Sequence, residues 1–259
     1  NENCRIMGIV NVNPDSFYCN SKVDLSEKLK LVSDADIIDV GAESSKPGSI
    51  PISYNDEISR LSKILPLLKT PNKTLSIDTY KYQVAKYALE NGFNIVNDIT
   101  GGKSKKLLQI VSEYQSKIIL MHMQGTPNDM QNNPKYDSLI DDIMLFFDKR
   151  INKAIKSGIK EDKIIIDPGV GFGKTVNDND KIICSITTFK SLGFPVMIGL
   201  SRKSFLQNND DLPIERLSNT VCANTLCIIG GADIIRVHDV NEHLKVRSFL
   251  IRMNSNFRN

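Results

Sequence analysis

Eight short apolar runs, rich in β-branched residues, recur along the chain, and each stops abruptly at polar residues. They are 6–12 before Asn13, Pro14 and Asp15; 37–40 before Gly41, Ala42 and Glu43; 74–77 before Asp78 and Thr79; and 95–96 before Asn97 and Asp98. Then come 118–121 before His122; 164–166 before Asp167, Pro168 and Gly169; 196–200 before Ser201, Arg202 and Lys203; and 234–237 before His238 and Asp239. The runs do not alternate between apolar and polar, so they read as strands buried on both faces, as in a parallel sheet.

Between the runs the apolar spacing changes to that of helices. Leu25, Leu29 and Val32 share one face, as do Ile58, Leu61, Leu65 and Leu68. Val84, Ala88 and Leu89 follow, then Leu107, Leu108 and Val111, then Ile143, Phe146, Phe147 and Ile151, then Ile182, Ile186 and Phe189. Gly92, Gly158, Gly193 and Gly231 fall just after helical segments, where a left-handed cap is favoured. Eight strands, each followed by a helix, predict an α/β protein, a closed (β/α)8 TIM barrel. A doubly wound sheet would have fewer strands and a glycine-rich first turn, whereas here that turn has no glycine.

Length agrees with this reading: 259 residues suit one barrel, with residues 1–259 expected to form a single domain. Lys and Arg total 33 against 30 Asp and Glu, a net charge of +3, and the basic residues are not interleaved with aromatics, so no nucleic-acid partner is expected. No apolar stretch is long enough to span a bilayer, so no membrane partner is expected. The first residues lack the basic start and apolar run of a secretion signal. Five cysteines without a CxxC pair argue against a disulfide framework or zinc knuckle, and a cytoplasmic location is expected.

Barrel active sites lie at the carboxyl ends of the strands. A single polar strand end is ordinary, because Asn and Asp favour turns. Here all eight ends carry amide, carboxylate or cationic groups. Asp78, Asn97 and Asp167 would converge in one mouth, and two carboxylates with an amide suit a flat heterocycle bearing several N–H donors. Lys203, Arg236 and His238 lie on the last two strands, where barrels often hold phosphate, and form a candidate anion site. The glycine-rich stretch 169–175 fits neither the Walker nor the dinucleotide spacing, since Pro168 and Lys174 occupy required glycine positions. The three histidines have no HxH or HExxH spacing, and His243 reads as structural or solvated. Cys222 and Cys227 read as small apolar fillers.

At these strand ends the sequence resembles the dihydropteroate synthases. The matching blocks are 7–17 (MGIVNVNPDSF), 38–48 (IDVGAESSKPG), 76–79 (SIDT), 95–99 (IVNDI), 120–125 (LMHMQG), 166–174 (IDPGVGFGK), 201–204 (SRKS) and 236–239 (RVHD), in order over almost the whole chain. The resemblance implies a Mg2+-assisted transferase that joins 4-aminobenzoate to 6-hydroxymethyl-7,8-dihydropterin diphosphate and releases pyrophosphate, and it implies a homodimer through the last helices. It implies pterin binding by Asp78, Asn97, Asp167 and Lys203, with Met121 packing nearby. Diphosphate would be held by Asn11, Lys46, Arg236 and His238, with the metal beside Asn11. Aminobenzoate would lie near Ser45, Lys46, Pro47, Phe172 and Ser204. The catalytic set would be Asp78, Asp167, Lys203, Arg236 and His238.

Two departures stand out. The family usually has Thr-Arg where this chain has Ser45 and Lys46, which removes a bidentate fork. The first loop, Tyr18 to Ser21, lacks the family's glycines. Altered discrimination against sulfonamides, which mimic aminobenzoate, is one expected consequence. The competing readings are a pterin-dependent methyltransferase, which has no need of the 201–204 and 236–239 blocks, and a pterin-binding paralogue without synthase activity.

Overall fold

The structure, a computed structural model, describes residues 3–12, 21–44, 48–68, 73–208 and 211–257. Eight strands form the inner wall: β1 (Arg5–Asn11), β2 (Ile37–Gly41), β3 (Thr74–Asp78), β4 (Ile95–Asp98), β5 (Lys117–Met121), β6 (Ile164–Asp167), β7 (Met197–Ile198) and β8 (Ile234–Val237). The helices between and after them are α1 (Ser21–Leu31), α2 (Tyr54–Ile64), α3 (Tyr82–Glu90), α4 (Lys105–Glu113), α5 (Leu139–Lys156), α6 (Val176–Cys184), α7 (Ile186–Lys190), α8 (Leu217–Ile229) and α9 (Val240–Phe257). All neighbours pair in parallel in the order β6-β5-β4-β3-β2-β1-β8-β7. The seam closes through a bridge between Ile166 and Val196, where the Ile166 amide donates to the Pro195 carbonyl at 2.9 Å. This is the expected TIM barrel.

The lack of alternation in the apolar runs has a direct cause. Outward side chains such as Ile38, Val40, Val96 and Ile118 pack under the helices, while inward ones fill the barrel. Met7, Ile37, Ile95, Ile119, Ile165, Met197 and Ile234, one from each of seven strands, form a separate buried cluster that plugs the interior. On α5, Leu139, Ile143, Phe147, Ile151 and Ala154 make the buried stripe, and the ring of Phe147 meets Phe189 edge-on at 6.4 Å. Gly92, Gly158, Gly193 and Gly231 all have positive φ, from 83° to 101°, as their cap positions require.

Two elements differ from the sequence expectation. The seventh strand is only two residues long, because Gly199 and Leu200 already turn into the loop that carries Lys203. The apolar face of Ile182, Ile186 and Phe189 spans two helices, broken at Ser185, whose φ of −110° departs from helical geometry.

Candidate active site

Side chains alternate across a strand, so residues two positions beyond the interior plug also point into the barrel. That step leads from Met7 to Ile9, Ile37 to Asp39, Ile95 to Asn97, Ile119 to Met121, Ile165 to Asp167, Met197 to Gly199 and Ile234 to Arg236. On β3, Asp78 lies level with Asn97. The apolar plug therefore gives way to a polar layer, which floors a cavity of about 480 Å3 at the carboxyl ends of the strands.

Nine residues singled out in the sequence line this one cavity: Asn11, Asp78, Asn97, Met121, Asp167, Phe172, Lys203, Arg236 and His238. Ser204 does not line it; it begins a 3-10 turn (Ser204–Leu206) and is exposed. Ser45, Lys46 and Pro47 lie outside the described residues, as does the first loop up to residue 20. Sequence reasoning missed Ile9, Met197 and Gly199 as lining residues, although the two-residue period from the strand ends points to them. It also missed Arg216, which reaches the cavity from the start of α8 and donates to the Arg202 carbonyl at 3.0 Å.

The floor is an ion-pair network. Arg236 Nε donates to Asp39 Oδ2 at 2.6 Å, and Arg236 Nη2 donates to Asp78 Oδ2 at 2.8 Å. Asn97 Nδ2 donates to the same Asp39 oxygen at 3.2 Å. Arg236, read from sequence as an anion ligand alone, is thus also the counterion of two carboxylates. Burial pushes Asp78 up to about 7; the guanidinium of Arg236 opposes this, while Asp39, Glu57 and Asp98 add to it. Asp167 is also raised, chiefly by burial, although its Oδ1 accepts the Gly169 amide at 2.7 Å.

Lys203 crosses the mouth. Its ammonium donates to the Val170 carbonyl and sits 4.2 Å from the centre of the Phe172 ring, a cation–π contact. Burial lowers it to about 7, against the upward pull of Asp167. Gly171 serves this approach: a Cβ there, where φ is +80°, would lie 2.7 Å from Lys203 Cδ. A Cβ on Gly169 or Gly173 would instead meet the His122 or Gln124 carbonyl oxygen, at 1.9 and 2.6 Å, and these close passages together explain a glycine-rich loop that fits no phosphate-loop spacing. His238 Nδ1 pairs with Ser201 Oγ at 3.0 Å, and Arg202 forms a fork onto Asp239 at 2.9 and 2.5 Å.

Other polar strand ends are structural. Asp98 accepts from the Thr100 amide and hydroxyl and from the Gly102 amide, at 2.6 to 2.8 Å, and so organises a turn. Glu43 accepts from Tyr80 at 2.7 Å and pairs with Lys81. His122 is buried, meets Phe146 edge-on at 4.8 Å and lies 3.1 Å from Lys174 Nζ; burial lowers its ring to about 3. His243 is buried against Asn224 and the Asp239 carbonyl, at 2.8 and 2.7 Å, which makes it structural. Cys4, Cys184, Cys222 and Cys227 are free thiols; Cys227 is buried, whereas Cys222 is exposed and is no core filler. No described helix is long and apolar enough to cross a membrane.

A family model described as pterin binding enzyme matches residues 7–238. A dihydropteroate synthase of Clostridium beijerinckii is 39% identical over 252 residues, covering 93% of this chain and 91% of that protein. A dihydropteroate synthase of Yersinia pestis, solved as a sulfonamide drug complex, superposes with a TM-score of 0.91 at 33% identity, covering 98% of this chain and 95% of that one. The Xanthomonas albilineans enzyme, solved with 4-aminobenzoic acid, gives a TM-score of 0.90 at 32% identity, covering 97% and 93%. With its barrel, its polar floor and these relatives, the chain belongs to the dihydropteroate synthases, pterin-binding transferases of the folate pathway.

Proposed function

We propose that this chain condenses 4-aminobenzoate with 6-hydroxymethyl-7,8-dihydropterin diphosphate, giving 7,8-dihydropteroate and pyrophosphate. The observation that carries the reading is the meeting of Asp78, Asn97, Asp167 and Lys203 with Arg236 and His238 in one cavity. The first four offer acceptors and a donor for a flat, N–H-rich ring, and the last two offer donors for an anion. The Xanthomonas and Yersinia relatives, solved with 4-aminobenzoic acid and a sulfonamide, support the second substrate.

In this reading Asp78 and Asp167 accept N–H donors of the pterin, Asn97 adds an amide contact, and Met121 packs on the ring. Lys203 donates to the ring's acceptors, and Phe172 walls the aminobenzoate side, with Ser45, Lys46, Pro47 and Ser204 as further candidates there. The carbon–oxygen bond to the diphosphate breaks, and its electron pair leaves with the phosphate oxygen. Positive charge spreads into the electron-rich pterin, which the carboxylates of Asp78 and Asp167 favour, while Arg236 and His238 stabilise the departing anion. The arylamine nitrogen then bonds the methylene carbon and releases a proton. No protein nucleophile is needed.

Mg2+ belongs to the proposal as part of the diphosphate complex. The described residues contain no group of three metal-ligating His, Cys, Asp or Glu side chains. The single oxygen of Asn11, which lines the cavity, fits an ion that keeps waters and takes most ligands from substrate phosphates. When bound, the ion supplies positive charge to the leaving oxygens. A homodimer through 221–229 and 240–251 is proposed from exposed apolar residues there: Leu226, Ile229, Phe249 and Ile251 are 41–66% exposed. The four free thiols among the described residues favour a cytoplasmic setting.

Pyrophosphate release tests the reading. Both substrates with Mg2+ should give stoichiometric pyrophosphate and dihydropteroate, with far less release when 4-aminobenzoate is omitted. Pterin binding without pyrophosphate release from the complete mixture would leave a binding paralogue.

A further inference from the structure

Asp39 lies beneath the cavity rather than in its lining. It is fully buried on β2, and one of its oxygens, Oδ2, accepts from both Arg236 Nε and Asn97 Nδ2. These two donors come from β8 and β4, which neighbour neither one another nor β2. The other oxygen, Oδ1, is buried with no hydrogen-bond partner among the described residues. A carboxylate kept at the bottom of a barrel with an unsatisfied oxygen is costly for stability alone, so its placement needs another reason.

We propose that Asp39 is a positioning residue that fixes Asn97 and Arg236 against one buried oxygen, and so sets the pterin and diphosphate subsites in register. The inference rests on the synthase reading for the identity of those subsites. Its first element is chemical. An ionised carboxylate only accepts, so the amide of Asn97 must turn its NH2 towards Asp39, which leaves its carbonyl oxygen for a ring N–H. The second element is geometric. Nε on Asp39 and Nη2 on Asp78 fix the guanidinium plane of Arg236 at two points, which leaves its remaining donors for an anion. The pterin subsite and the anion subsite therefore hang from a single atom.

A third element links Asp39 to Asp78. The charged groups acting on Asp78 are Arg236 on β8, Asp39 on β2, Glu57 on α2 and Asp98 on β4, with Lys203 across the mouth. The charge of Asp39 raises Asp78, so its removal should let Asp78 ionise at lower pH.

The test is Asp39→Asn in the full chain, titrated separately with 6-hydroxymethylpterin and with inorganic pyrophosphate. Each affinity should fall about tenfold or more, the loss expected of a charge-assisted contact that positions its ligand. The KM for the pterin diphosphate should rise similarly, while that for 4-aminobenzoate stays within about twofold. The acidic limb of pterin affinity against pH should also move to lower pH. A general loosening of the fold would raise both KM values and leave the limb in place; that result, or an unchanged pyrophosphate affinity, overturns the proposal.

Should Asp39→Asn fail to fold, nitrogen-15 NMR of the unaltered protein decides. The Nε–H resonance of Arg236, assigned by its loss in Arg236→Lys, should exchange slowly and survive saturation with pyrophosphate. Its collapse into the solvent-exposed arginine signals would overturn the role of Asp39. The synthase reading fails on a different result, the absence of pyrophosphate release from unaltered protein and both substrates. The two probe titrations remain readable in that case.

Discussion

Asp78→Asn should stabilise the ligand-free protein at pH 8 while abolishing pterin binding. Burial holds the Asp78 carboxyl up to about 7, against an ordinary value of 3.8, and this is the balance left after the pull of Arg236. Between those two values the folded state keeps a proton that the unfolded state has released, so unfolding free energy falls as pH rises through that window. At about 1.4 kcal/mol for each tenfold change in proton affinity, the rise from 3.8 to about 7 puts the upper limit near 4 kcal/mol. Relaxation and the partial exposure of the side chain, 12%, bring the expected gain of the neutral isostere to about 1–3 kcal/mol. For a chain of this size that is a rise of roughly 2–10 °C in melting temperature. The gap should shrink to roughly a third of its pH 8 size by pH 5 and close only near 3.8, where the unfolded carboxyl is protonated too. Affinity for 6-hydroxymethylpterin at pH 8 should drop about 100-fold or more, since charge-assisted bonds to the ring are lost. Thermal melts of both proteins from pH 5 to 8, with pterin titrations at pH 8, test this. A variant that melts below the parent at pH 8, or a gap as wide at pH 5 as at pH 8, refutes this.

Pterin affinity against pH should peak near 7, because Asp78 must be ionised and Lys203 protonated, and both titrate near there; Lys203→Met should remove the alkaline limb and leave the acidic one. Gly169→Ala should cost about 3 kcal/mol or more in denaturant unfolding, because φ is +68° and a Cβ would lie 1.9 Å from the His122 carbonyl oxygen; near-neutrality would mean the loop relaxes freely. Phe147→Ala, fully buried between Phe146 and Phe189, should cost about 3–5 kcal/mol in the same assay with pterin affinity unchanged. Sulfamethoxazole should inhibit this chain and an ordinary family member with different potency, owing to Ser45, Lys46 and the glycine-free first loop; equal potency in parallel assays would end that idea.

Seven of the eight strands were legible because residues buried on both faces leave an unbroken apolar run, and because helices between them change the period. The seventh strand was overextended: Gly199 and Leu200 are as apolar as a strand, and only the closing geometry of the barrel ends pairing at Ile198. The cavity was legible at Asp78, Asn97, Asp167 and Lys203 because each stands directly at or just beyond a strand end. Asp39 and Glu43 are alternative polar ends of the second strand in the sequence, and nothing there prefers Asp39, which stands inside the apolar run two residues before the loop begins. The Arg236 pairing joins positions 197 and 158 residues apart, so only the closed barrel brings them together. Lys174 looked like part of a failed phosphate loop; its burial against His122 and the Phe172 carbonyl shows a strut for the loop that carries Phe172.

Under the proposed function, charge in the cavity accounts for one small space holding a neutral ring and an anion. Asp39, Asp78 and Asp167 give three carboxylates against the two cations Lys203 and Arg236, so the fully ionised set carries 2 − 3 = −1. Asp78 and Lys203 both titrate near 7, and moving one proton between them leaves that total unchanged. A pterin that donates to Asp78 and accepts from Lys203 selects the ionised pair from states of equal total charge. Docking the ring then requires no net change in charge at neutral pH, and the donors of Arg236 left over from Asp39 and Asp78 remain for the anion. Replacing either partner with a permanently neutral group removes one of those states, which is why Asp78→Asn and Lys203→Met should act on opposite limbs of the same profile.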